Sequence, residues 1–218
     1  MKSAGGFDRI APVYDFLAKL VFGNKLRDAQ NYFLGHLGVP TGILVFGGGS
    51  GNLLKTLLKQ YPEAKIKYLE ASSKMIEIAS SRKVTGIENI QFIHGTEQEL
   101  VGTPDRFDVL ITPYVLDVFE AGELERVMDI LFEVLEPGGF WVQTDFYVFS
   151  DHPWWQRRLV WLMYLFFKIA ANQRNQQLPD FTVYFSRLAL EPLAEKSFCG
   201  KMVKTIWYRK LQVTEPSH

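Results

Sequence analysis

The chain has 218 residues, 47% hydrophobic and 22% charged, a composition that suits one globular domain with a sizeable core. Its 24 basic and 24 acidic side chains cancel, so there is no general positive field with which to hold a nucleic acid. A single cysteine, Cys199, excludes an internal disulfide and a cysteine-rich zinc site, and it fits a reducing, cytoplasmic setting.

Residues 1–37 read as helical, with apolar residues at Phe16, Leu17, Leu20 and Val21 and again at Tyr32, Phe33 and Leu37. Met1 to Asp8 lack the basic-then-apolar pattern of a secretory signal. A turn cluster, Gly38 to Gly42, leads into Ile43-Leu44-Val45-Phe46, a continuous apolar run of the kind buried on both faces of a parallel sheet. Leu53, Leu54, Leu57 and Leu58 predict a helix closed by Tyr61-Pro62. Ile66 to Leu69 predict a second strand ending at Glu70, and Ser72 or Ser73 can cap a helix carrying Met75, Ile76 and Ile78. A third strand is expected at Ile90 to Ile93, a fourth at Phe107 to Ile111, a helix across Leu124 to Leu135, and a fifth strand at Phe140 to Thr144 after the turn Pro137-Gly138-Gly139. Alternation of strands and helices predicts an α/β fold. Beyond it, residues 151–178 read as helical, Asp180 to Lys196 as a further helix, and Phe198 to Leu211 as two strands turning near Gly200. The most apolar run, Leu159 to Phe167, is far short of the roughly 20 residues that span a bilayer.

The chemistry centres on Gly47-Gly48-Gly49-Ser50-Gly51, placed between the first strand and the Leu53 helix. Glycines there permit a tight turn and bring backbone N–H groups at a helix start close to a ligand. Glu70 closes the second strand, 19 residues after Gly51, where doubly wound folds carry an acid that accepts hydrogen bonds from ribose hydroxyls. The pair predicts an adenosine-bearing cofactor. A dinucleotide site would want glycine or alanine where Asn52 stands; the G-x-G-x-G spacing of Gly47, Gly49 and Gly51 departs from that pattern and points toward S-adenosyl-L-methionine (SAM), which has no pyrophosphate to cradle.

Four segments in order resemble the class I SAM-dependent methyltransferases: Ile43 to Gly51, Tyr68 to Ala79, Phe107 to Thr112, and Leu135 to Gly139. The resemblance implies one doubly wound, Rossmann-like domain over residues 1–218, with about seven strands, five parallel plus a C-terminal hairpin. It divides into an N-terminal helical lid (1–37), a SAM-binding core (43–144) and a helical substrate cap (151–196). It implies SAM as cofactor, S-adenosyl-L-homocysteine as product, and cofactor contacts from Gly47, Gly48, Gly49, Gly51, Glu70, Ala71, Met75, Thr96, Glu97 and Thr112. The stretch Phe7 to Asp15 resembles the start of small-molecule and quinone-biosynthesis methyltransferases, where a Tyr-Asp pair lies near the ligand; this gives Tyr14 a lid role, with simple anchoring of a helix as the alternative. Two departures stand out. Val45 takes the place of the acid that in the family usually stands two residues before the first glycine and helps organise the methionine end of SAM, and Thr96 that of an Asp that often binds the adenine amino group, for which the Thr96 hydroxyl, a backbone carbonyl or Glu97 can substitute.

Methyl transfer needs positioning more than a nucleophile-base triad, and none is visible. His36, His94, His152 and His218 show no metal-ligand spacing. Groups to orient or deprotonate an acceptor are expected after the fourth and fifth strands: Tyr114 and Asp145 as the catalytic candidates, with Asp117, Tyr147 and His152 nearby. The aromatic stretch from His152 through Trp154, Trp155 and Phe167 suggests a small apolar or aromatic acceptor, with peripheral membrane contact or plain packing as alternatives; oligomeric state stays open. Competing readings are a nicotinamide-dependent oxidoreductase and a SAM-fold binding or scaffolding protein that has lost catalysis, the latter favoured by Val45.

Overall fold

A computed structural model describes residues 21–148, 152–159 and 179–212. Seven strands form one sheet in the order β3-β2-β1-β4-β5-β7-β6. They are β1 (Gly42–Phe46), β2 (Lys65–Glu70), β3 (Ile90–His94), β4 (Phe107–Pro113), β5 (Leu135–Phe146), β6 (Leu190–Phe198) and β7 (Val203–Lys210). The first five pair in parallel; β7 runs antiparallel to β5, and β6 antiparallel to β7. The five-parallel-plus-hairpin expectation holds.

Successive residues of the central strands point to opposite faces, so each strand feeds two cores. Leu44, Phe46 and Leu110 face one side, together with helix α4 (Ala121–Val134) and helix α5 (Phe181–Ser186). Ile43, Val45, Tyr68, Val109 and Ile111 face the other, where helix α2 (Leu54–Gln60) and helix α3 (Ser73–Ser80) pack. Helix α1 (Lys25–Asn31) lies across β5, β6 and β7, where Thr205 Oγ1 donates to Ala29 O at 2.8 Å. Ser72 caps α3 by accepting from Met75 N at 3.2 Å.

Element boundaries differ from expectation in places. The fifth strand is entered at Leu135 and carries the Pro137-Gly138-Gly139 turn as an irregularity, because pairing steps from Phe107↔Leu135 to Val109↔Phe140. Residues 190–196, expected to be helical and assigned to the cap, are strand. Pro192 cannot donate in a helix interior, and the segment pairs along β7. The helical stretch expected after residue 151 is seen at 154–159; its continuation, and the Tyr14 lid, lie outside the described residues. No helix among the described residues is long and apolar enough to cross a membrane.

At the sheet edge opposite the glycine turn, Asp108 Oδ2 accepts from Thr41 N at 2.6 Å, Thr41 Oγ1 at 2.7 Å and Gly42 N at 2.9 Å. Partial burial would raise this carboxyl's pKa, but the hydrogen bonds outweigh it and hold the group below its ordinary range. Asp108→Ala should cost about 1–2 kcal/mol at neutral pH, at the modest end because solvent reaches the group. A depressed folded pKa gives stability that is present above the unfolded pKa of about 4 and lost as pH falls through the folded value. The gap between parent and variant in urea unfolding should therefore narrow in acid.

Candidate cofactor site

The strand order reverses between β1 and β4, so the chain leaves these neighbours toward opposite faces and opens a crevice at their carboxyl ends, the usual ligand position in open α/β sheets. The glycine turn sits at this point. Gly47 N donates to Leu69 O at 2.8 Å, which continues the β1–β2 ladder one step beyond Phe46. Gly47, Gly49 and Gly51 have φ of 70°, 60° and 80°, the left-handed region that favours glycine. At Gly49 a Cβ would point into open space, as expected of a backbone that faces a ligand. At Gly48 a Cβ would lie 2.4 Å from the Tyr68 hydroxyl, so glycine is required there for close approach.

Glu70 reaches this turn from β2. Its Oε2 accepts from Gly49 N at 2.9 Å and its Oε1 from Ser72 N at 2.9 Å. A carboxylate oxygen can accept more than one hydrogen bond, so these N–H contacts are compatible with a sugar hydroxyl at the same group. The outer side of the turn is clamped by Arg82, whose Nε donates to Ser50 O and whose Nη2 donates to Asn52 Oδ1 at 2.9 Å. Neither Arg82 nor Tyr68, whose hydroxyl donates to Gly49 O at 2.8 Å, was singled out from the sequence. For Tyr68 a signal existed: a phenol inside an otherwise aliphatic buried strand needs a partner.

The remaining expected contacts divide by location. Ala71 O lies 3.1 Å from His94 Nε2, and Met75 is buried at the start of α3, next to the Glu70 corner. Thr96 caps a short helix, Glu97–Leu100, by accepting from Gln98 N at 3.3 Å. Glu97 is 3% exposed; its Oε1 meets Arg126 Nη2 at 2.8 Å, while Oε2 is buried without a hydrogen-bond partner among the described residues. Thr112 is fully buried and accepts from Trp141 Nε1 at 3.0 Å, so its side chain serves the core. The open cradle at Gly49 and the orphaned acceptor on Glu97 fit an adenosyl cofactor, which brings both a sugar to bind and an amino group to donate.

Residues 43–139 match the family model described as Methyltransferase domain. Over this stretch, less than half of the chain, the sequence is similar to methyltransferases, and together with the fold this supports a class I SAM-dependent methyltransferase. SAM is the cofactor of that family. The chain is 34% identical over 103 residues to a malonyl-[acyl-carrier protein] O-methyltransferase of Halalkalibacterium halodurans, covering 46% of this chain and 35% of that protein. It is 32% identical over 110 residues to a demethylmenaquinone methyltransferase of Thermotoga maritima, covering 50% and 46%. The matched region spans less than half of either relative. Human N-acetylserotonin methyltransferase in complex with SAM superposes with a TM-score of 0.67 at 19% identity, over 94% of this chain and 57% of that one. A chain of the Haloferax volcanii complex between the Trm112 methyltransferase activator and a methyltransferase superposes with a TM-score of 0.74 at 12% identity, over 99% and 100%. At such identities these likenesses speak for the fold. The antiparallel β5–β7 pairing also departs from the 3-2-1-4-5-6 strand order of dinucleotide folds.

Across the crevice stand the residues expected to serve an acceptor. Tyr114 takes a φ of 55°, unusual outside glycine, and donates its hydroxyl to Leu26 O at 2.8 Å, tying α1 to the end of β4. Its ring lies 5.7 Å from Phe146, which in turn lies 5.8 Å from Phe22. Asp145 is fully buried; its carboxyl accepts from Leu116 N at 3.2 Å and Phe146 N at 3.0 Å, bracing the loop after β4. Burial first, and repulsion from Asp117 second, push the Asp145 carboxyl well above the ordinary range, against these N–H groups. Tyr147 donates to Gln143 Oε1 at 2.9 Å, and burial raises its pKa well above that of a free phenol. His152 lies apart, its Nε2 3.4 Å from Lys201 O.

A carboxyl with a raised folded pKa gives most stability below the unfolded pKa, and loses it as pH rises toward the folded value. Wild-type unfolding free energy should therefore carry a downward component from about pH 4 upward. Asp145→Asn, which does not titrate, should lack that component. Equal pH slopes in the two proteins would show that Asp145 ionises in the folded chain as it does in the unfolded one.

Proposed function

We propose that this chain transfers a methyl group from SAM to a small apolar or aromatic acceptor. The observation that carries the reading is the grip of Glu70 on Gly49, which sets a sugar-binding carboxylate against the open side of a glycine turn. In this reading Glu70 holds the ribose, the turn from Gly47 to Gly51 supports the methionyl part, Met75 packs near the adenine, and Glu97 Oε2 accepts from the adenine amino group. Ala71 and Thr96 border that pocket, and Tyr14 closes over it. The cofactor supplies an activated methyl group whose transfer is an in-line displacement, so the protein's part is alignment and the exclusion of water.

The acceptor reading rests on the aromatic group Phe22, Phe146 and Tyr114 at the carboxyl ends of β4 and β5. Tyr114 orients the acceptor through its ring and its tie to α1, and Asp145 acts through the loop it braces. The two curated relatives name acceptors of different chemistry, a malonyl group on acyl-carrier protein and demethylmenaquinone, so kinship alone leaves the acceptor open. The core position of Val45 favours a second reading, binding without catalysis.

Calorimetric titration with S-adenosylhomocysteine should give saturable binding, with no binding of NAD. Glu70→Ala should weaken it roughly ten- to hundred-fold, the loss of a charge-assisted pair of hydrogen bonds. Methyl-labelled SAM offered with a panel of phenols, quinones and fatty acids should label an apolar member. Absence of S-adenosylhomocysteine binding overturns the cofactor reading; binding without turnover across the panel decides for the binding-only one.

A further inference from the structure

Val45 stands where the family that this chain resembles usually carries an acid that helps organise the methionine end of SAM, and the side chain beside it, Tyr68, reaches the turn instead. Val45 and Tyr68 are register partners in the parallel β1–β2 ladder, so both side chains leave the sheet on the α2 side. Both are fully buried. The short Val45 side chain ends in the core. Tyr68 extends under the turn until its ring meets Gly48 and its hydroxyl reaches Gly49 O at 2.8 Å. The ring is backed by Phe92, 5.3 Å away. Gly49 is thereby held at both ends from one strand: its N–H by Glu70, its carbonyl by Tyr68 two residues earlier.

We infer that Tyr68 is the positioning residue of the cofactor turn, taking over from β2 the role that an acid at position 45 plays in the family. The polarity is reversed, because a phenol donates to a carbonyl where a carboxylate would accept from an N–H. The exchange has a physical rationale. Ionising a carboxylate in the dry space under the turn is costly, and it would stand near the charge of Glu70; a neutral phenol with one satisfied hydrogen bond meets neither penalty. The loss of the acid is then no sign of a lost cofactor site. This inference rests on the proposed SAM site.

The test compares ligands as well as variants. Tyr68→Phe keeps the ring and removes only the hydroxyl. It should weaken S-adenosylhomocysteine binding about ten-fold while adenosine, which lacks the amino-acid part, loses less than about three-fold. The thermal midpoint of the ligand-free protein should move by only a few degrees, roughly what one hydrogen bond gives in a chain of this size. Gly48→Ala probes the same contact from the turn, since its Cβ would drive the phenol away from Gly49, and it decides the matter should Tyr68→Phe fail to fold. It too should cost about ten-fold for S-adenosylhomocysteine, and the two losses should not add, as expected of changes to one contact. Unchanged S-adenosylhomocysteine affinity in either folded variant, equal losses for both ligands, or additive losses would overturn the role of Tyr68. Failure of the unaltered chain to bind S-adenosylhomocysteine is a different result: it overturns the cofactor reading, and this one with it.

Discussion

The site depends on the parallel register of β1 against β2. Phe46 pairs with Leu69, and the ladder's last bond runs from Gly47 N to Leu69 O. Glu70 is the next residue, so its carboxylate arrives beside Gly49 with no intervening loop to position it. A slip of one residue would send Val45 and Tyr68 to opposite faces and take Glu70 from the turn. Slippage is costly because β1 is flanked by β2 and β4 and buried on both faces, so every side chain in it is specified by packing.

Around that register the turn is held by three side chains. Glu70 and Tyr68 hold Gly49 from below, and Arg82 holds Ser50 and Asn52 from outside. Such bracing means that little reordering is left to be done when a ligand arrives, which is how a protein favours binding at small entropic cost. Neutral groups, Val45 and Tyr68, stand behind the carboxylate of Glu70. The site's negative charge is thus placed at the mouth, where a ribose would meet it.

The far side of the crevice is built differently. Aromatic rings predominate there, and the polar groups present bind the chain to itself: Tyr114 to the carbonyl of Leu26, Asp145 to the backbone after β4, Tyr147 to Gln143. Helix α1 is drawn onto this side through Leu26 and through the bond from Thr205 to Ala29. That side is therefore shaped by packing between segments far apart in sequence, whereas the glycine turn is shaped by β1, β2 and the helices that directly follow them.

That difference explains what was legible. Residue order alone was enough for the alternation of strands and helices, the glycine turn, Glu70 at its ribose-binding spacing and a serine cap at Ser72 or Ser73, because each follows from local backbone preference, burial periodicity or short-range spacing. It also marked Val45 as a departure. Tertiary structure alone decided the rest. Residues 190–196 became strand because β7 offers a pairing edge, a long-range demand that local helical preference does not meet. The Thr112 hydroxyl meets the Trp141 indole N–H because β4 and β5 lie side by side. Tyr68 came to sit under Gly49 because two strands separated by a helix lie side by side, and adjacency across a parallel sheet leaves no mark in the order of residues along either strand.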